Sequence, residues 1–164
     1  MDIFSKTEGA EGLILDLRFN NGGSIHDQVL TFLSRRPYAY EKSRGDTEIT
    51  YNSVRRWDGP IVLLINERSY SDGEIFPAGF KELGLGSVVG MPTFGAVIGT
   101  RNVRLIDGTT FRIPGTGWYT MDGRNLENGP VEPDIWVPAV PEEGLAGRDA
   151  QLEAGVAECM SMLD

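Results

Sequence analysis

Ile61, Val62, Leu63, Leu64 and Ile65 form an unbroken branched aliphatic run between Gly59-Pro60 and Asn66. A strand with one wet face alternates apolar and polar residues. A run without alternation implies that both faces are covered, as in a parallel sheet flanked by helices. The stretch Gly12 to Leu17 (GLILDL) repeats the signal more briefly and runs through Arg18 into the turn-rich Asn20 to Gly23. After each run the apolar period lengthens. Ile25, Val29, Leu30 and Leu33 follow the first, ahead of Pro37, and Ile75, Phe76, Phe80 and Leu83 follow the second. Strand, turn, helix, stated twice, predicts a single α/β domain over residues 1–164.

The remaining elements are less constrained. Ser87 to Gly90 and Asp134 to Val137 read as short strands. Ile98 to Thr120 reads as a hairpin and further strands broken at Asp107-Gly108 and Pro114-Gly115. Tyr38 to Asp58 is polar and mixed in charge, a surface excursion with a hairpin around Thr47 to Tyr51 that is expected to help shape any substrate pocket. Pro77, in the first turns of the second helix, predicts a kink or a displaced start. Leu152, Val156, Cys159, Met160 and Leu163 predict an amphipathic closing helix.

A formal charge of −9 repels phosphate backbones, so no nucleic-acid partner is expected, and a basic or neutral polypeptide suits the surface better. The apolar runs are too short to span a bilayer, so no membrane partner is expected. The opening MDIFSKTEGAEG lacks the pattern of a secretory signal, and a cytoplasmic location is expected. One cysteine, Cys159, and one histidine, His26, leave no internal disulfide and no conventional zinc site. No cofactor and no metal are expected, and Cys159 reads as a small core residue.

Two strand-to-helix junctions place backbone N–H groups where a helix start favours negative charge. In Arg18 to Gly23 the glycines permit a sharp turn with unshielded amides. In Ser71-Asp72-Gly73-Glu74 a hydroxyl stands where strand becomes helix, one way to expose a nucleophile beside an oxyanion donor. The same four residues also fit S-x-x-E, a capping box in which the hydroxyl only satisfies a backbone donor. Asn20 to Gly23 equally fits a loop without a task.

Over roughly Glu11 to Leu163 the chain resembles the tail-specific and tricorn family of serine peptidases. The matching blocks are Gly12 to Arg18 with Asn20 to Gly23, Pro60 to Asn66 leading into Ser71 to Ile75, Val88 to Gly90 with Thr93-Phe94-Gly95, and Gly129 to Asp134. The resemblance implies a sheet-and-helix core like that of the Clp peptidase (ClpP) and crotonase folds. It also implies Ser71 as nucleophile, with the Asp72 amide and a glycine of the first turn, Gly22 ahead of Gly23, as oxyanion donors. The substrate implied is a peptide or unfolded polypeptide, and the full-length form is expected to be a homo-oligomer.

One position separates the two branches. The tail-specific branch carries a lysine base after Phe-Gly, where this chain has Ala96, and Lys81 lies more than two helical turns from Ser71. Ser-Asp-Gly resembles the tricorn branch, whose base is a histidine held by a serine and a glutamate. Glu127 is the position most similar to that glutamate, with Glu132 as competitor and a solvated loop carboxylate as the plain alternative. The family's Ser-His pair precedes the first strand, so the expectation is a catalytic core from a longer chain, nearly inactive alone, with its histidine supplied from an upstream region. His26 has no counterpart in the family and reads as a surface or edge residue. A second function remains open, a binding module like the retinoid-binding repeats of the eye. A crotonase-type acyl-CoA enzyme, which shares the paired-amide oxyanion hole, is a third.

Overall fold

The computed structural model describes residues 9–52, 56–140 and 144–163. The first eight residues of the opening stretch, and residues 53–55 of the surface excursion, lie outside that set. In chain order the elements are β1 (Leu13–Asp16), α1 (His26–Leu33), β2 (Ala39–Glu41), β3 (Thr50–Asn52), β4 (Ile61–Ile65), α2 (Asp72–Glu82), β5 (Ser87–Gly90), β6 (Ile98–Arg104), β7 (Thr110–Gly117), β8 (Ile135–Trp136) and α3 (Ala150–Ser161).

β4 is buried at every position because it occupies the middle of a parallel sheet ordered β1-β4-β5-β8. Its alternation is one of partners rather than of polarity. Ile61, Leu63 and Ile65 pack with Leu30 and Leu33 of α1 and with Phe76 and Phe80 of α2. Val62 and Leu64 pack on the opposite face with Val89 and Cys159. The architecture is therefore helix, sheet, helix, the α/β core expected from the sequence. Each such side chain contributes about 1.5–3 kcal/mol relative to exposure. A third cluster, Val97, Leu126 and Val131 with Ile75 and Trp118, packs against the flank of α2.

Three expectations are corrected. The first concerns the closing helix, which turns Gln151, Gly155 and Cys159 inward, while Leu152, Val156 and Met160 stay exposed. Close approach decides the face. A β-carbon at Gly155 would lie 2.8 Å from Leu64 Cδ2, so the small residues let α3 settle on the sheet. Second, Pro114-Gly115 does not end a strand. Thr100 pairs with Pro114 and Gly99 with Thr116, so Gly115 is the extra residue of a bulge inside β7. Third, the hairpin in the surface excursion pairs Ala39–Glu41 with Thr50–Asn52, placing Thr47 and Ile49 in its connection rather than its strands. Pro77 is accommodated inside α2, which runs on to Glu82.

Among the described residues no helix is long and apolar enough to cross a membrane. Nor do any three histidine, cysteine or acidic side chains among them form a cluster suited to a metal ion.

Candidate active site

β1 and β4 are adjacent and parallel, so the turns that follow them open at the same end of the sheet. Hydrogen bonds stitch the two turns together. Ser69 Oγ donates to the Leu17 carbonyl at 3.0 Å, and the Tyr70 N–H donates to the Asn20 carbonyl at 2.8 Å. Buried Asn66 accepts from the Phe19 and Arg68 N–H groups, each at 3.1 Å. Arg18 completes the frame. Its guanidinium donates to Asp16 and, at 2.7 and 2.8 Å, to Asp149, the residue that caps α3. These bonds raise the Arg18 pKa above its ordinary value, Asp16 contributing most, and Arg18 in turn holds the Asp149 carboxyl below the usual range.

Ser71 sits at the N-cap of α2 with φ 57° and ψ −111°, a backbone conformation that residues with a side chain avoid. Such strain costs about 1–3 kcal/mol and persists only where the surroundings enforce it. Glu74 is part of that enforcement. Its side chain reaches back to the Ser71 N–H at 3.1 Å in a capping-box arrangement. The Glu74 N–H points back at Ser71, donating to its carbonyl at 2.8 Å and facing its side chain in the other half of the capping box. The S-x-x-E capping box read from the sequence is therefore present, and Ser71 Oγ makes no hydrogen bond with another side chain among the described residues.

Glu74 does more than cap. Fully buried, its carboxylate also accepts from Thr93 Oγ at 2.7 Å, the Gly95 N–H at 2.5 Å and the Ala96 N–H at 2.9 Å. Ala96 bridges to Glu127, and the Asn128 N–H donates to the Gly95 carbonyl at 2.7 Å. Glu127 therefore lies on a strand-like segment tied to the same carboxylate that holds Ser71. Glu132 lies elsewhere. It is exposed, and its carbonyl accepts from Lys81 Nζ at 2.9 Å, toward the far end of α2. Lys81 pairs with Asp134 and is accordingly placed away from the serine.

Gly22 has φ +109°, and a β-carbon there would lie 3.1 Å from Ser71 Cβ and 3.4 Å from its hydroxyl. The glycine turn and the serine turn therefore converge. The Gly22 N–H is held by Asn20 Oδ1 at 2.9 Å, whereas the Asp72 N–H has no partner among the described residues. The Asp72 carboxylate is buried and accepts from the Ile25 N–H at 3.2 Å and from His26 Nδ1. His26 is thus no free surface residue. Its ring is 17% exposed, and its Nε2 lies 3.5 Å from Asp27. No contact of either ring nitrogen with Ser71 occurs among the described residues.

A cleft of about 340 Å³ runs beside α2, lined by His26, Asp27, Ile75, Glu82, Trp118 and Met121 among others. None of its described lining comes from the Tyr38 to Asp58 excursion. The sequence reading also missed Asn66 and Ser69 as the links between turns. Their signal was slight, since a polar residue ending a buried strand commonly begins an ordinary loop.

A strained serine at a helix start, converging with a glycine turn at the end of a parallel sheet, places the chain in the class of α/β folds with a strand-turn-helix elbow, the kind of turn on which α/β hydrolases expose a nucleophile. The model of peptidase family S41 matches residues 2–137, and the chain belongs to that family. It is 37% identical over 158 residues to the tricorn protease of Thermoplasma acidophilum, covering 94% of this chain and 14% of that protein. It is 40% identical over 157 residues to tricorn protease homolog 1 of Streptomyces coelicolor, again covering 94% of this chain and 14% of the relative. The crystal structure of the tricorn protease superposes with a TM-score of 0.81 at 34% identity, covering 93% of this chain and 15% of that one. The photosystem II D1 C-terminal processing protease gives 0.64 at 26% identity, covering 98% and 41%.

Proposed function

We propose that this chain is the nucleophile and oxyanion part of a serine peptidase. Ser71 Oγ attacks a peptide carbonyl, and the Asp72 and Gly22 amides receive the oxyanion. Glu127 orients a histidine base supplied from outside these residues. The observation that carries the reading is the 3.1 Å approach of the Gly22 position to Ser71 Cβ, with Ser71 held in a strained backbone conformation. The Asp72 N–H is ready to donate, and the Gly22 N–H becomes available when the Asn20 amide yields to the substrate oxygen. Without a base on the hydroxyl, the oxyanion donors alone sustain weak turnover. The substrate is a peptide or unfolded polypeptide, in keeping with the tricorn relatives, and the full-length form assembles as a homo-oligomer. Peptide hydrolysis by the full-length protein, with and without Ser71→Ala, tests this. Equal rates end the proposal.

A second reading, a non-catalytic binding module, draws on the absence of any base beside Ser71 Oγ among the described residues. Fluorophosphonate labelling of the full-length protein separates the two, since only the peptidase presents a reactive serine.

A further inference from the structure

Resting on the peptidase reading, we propose that His26 is a positioning residue for the oxyanion site, acting through Asp72. The Asp72 side chain is 5% exposed and lies between the starts of α1 and α2. One carboxylate oxygen takes the Ile25 N–H at 3.2 Å and the other takes His26 Nδ1, both from the segment that follows the glycine turn. A β-carbon at Gly23 would lie 3.4 Å from the first of these oxygens, so the carboxylate also packs on the turn itself. Asp72 is the residue whose own N–H faces the developing charge. The two bonds to its side chain therefore fix the orientation of one oxyanion donor and its separation from the other.

Charge gives His26 a second task. A carboxylate this close to a forming oxyanion opposes it unless its lone pairs are occupied, and His26 and Ile25 occupy them. The imidazole is not the base. Its Nε2 faces Asp27, whose side chain is 90% exposed, rather than Ser71. The carboxylate requires a proton on Nδ1, and that fixes the tautomer.

The test uses the full-length protein, where the base is supplied, and three variants, with the second-order rate of Ser71 phosphonylation by a fluorophosphonate as readout, because the phosphoryl oxygen occupies the oxyanion site. His26→Ala is expected to slow labelling about 100-fold, the scale of a misplacement near 1 Å. His26→Asn, whose amide nitrogen falls near the Nδ1 position, is expected to recover most of that loss. A structural role alone would not distinguish the two in this way. Nitrogen-15 spectra of the unmodified chain should show His26 Nδ1 protonated, a readout that needs no variant to fold. Labelling of His26→Ala at the unmodified rate, failure of His26→Asn to recover it, or an unprotonated Nδ1 each overturns the assignment. If the unmodified full-length protein labels no faster than its Ser71→Ala variant, the peptidase reading itself has failed, and there is no oxyanion site for His26 to position.

Discussion

The position of a β-carbon on Gly22 lies 3.1 Å from that of Ser71, closer than two side chains comfortably approach. Gly22→Ala therefore strains the chain twice, through φ +109° and through this contact. It should lower unfolding stability by about 1–3 kcal/mol and slow fluorophosphonate labelling of Ser71 well beyond that of Gly9→Ala, where the space is open. Matching labelling rates for the two variants would contradict the convergence of the turns.

Glu74 is the only described acceptor shared by the Ser71, Gly95 and Ala96 amides and the Thr93 hydroxyl. Glu74→Gln points an NH2 group at donors whichever way the amide is turned, and lost bonds to a buried charge cost about 1.5–3 kcal/mol each. A denaturant midpoint unchanged by this substitution would show that the carboxylate is not the link between α2 and the Glu127 segment.

The Asp149 carboxyl is held below its ordinary value by Arg18, so its contribution to stability has a definite sign with pH. A depressed carboxyl pKa stabilises the fold above the unfolded value of about 4, and the gain disappears as pH falls through the folded value. Asp149→Asn removes the charge while keeping an effective N-cap for α3. The stability gap between the two proteins should stay level from pH 7 to about 5 and close below about 4. A gap that widens in acid would refute the assignment to Arg18.

On α3, Met160→Lys lies on the outward face and should change stability by no more than about 0.5 kcal/mol. Gly155→Val drives methyl groups into Leu64 and should cost about 1–3 kcal/mol. Reversal of that order, read from thermal melts, would mean that the other face of α3 meets the sheet.

The period change from strand to helix made β1, β4, α1 and α2 legible in the residues, because local pattern and tertiary burial agree there. The seat of α3 was not, since its larger apolar residues form a tempting stripe while contact is decided by the small residues Gly155 and Cys159. At the site, Ser71 and the glycine turn were readable as types of turn. The distance between them depends on the β1–β4 register, which no local pattern encodes. His26 was opaque for the same reason, because its partner lies 46 positions away in sequence.

The left-handed backbone at position 71 carries one more consequence. Glycine tolerates that geometry better than serine does, so the substitution that would relax the elbow is also the one that deletes the hydroxyl. Robustness and reactivity compete at a single residue, and any search for sturdier versions of this chain will tend to select against its nucleophile unless both properties are screened together.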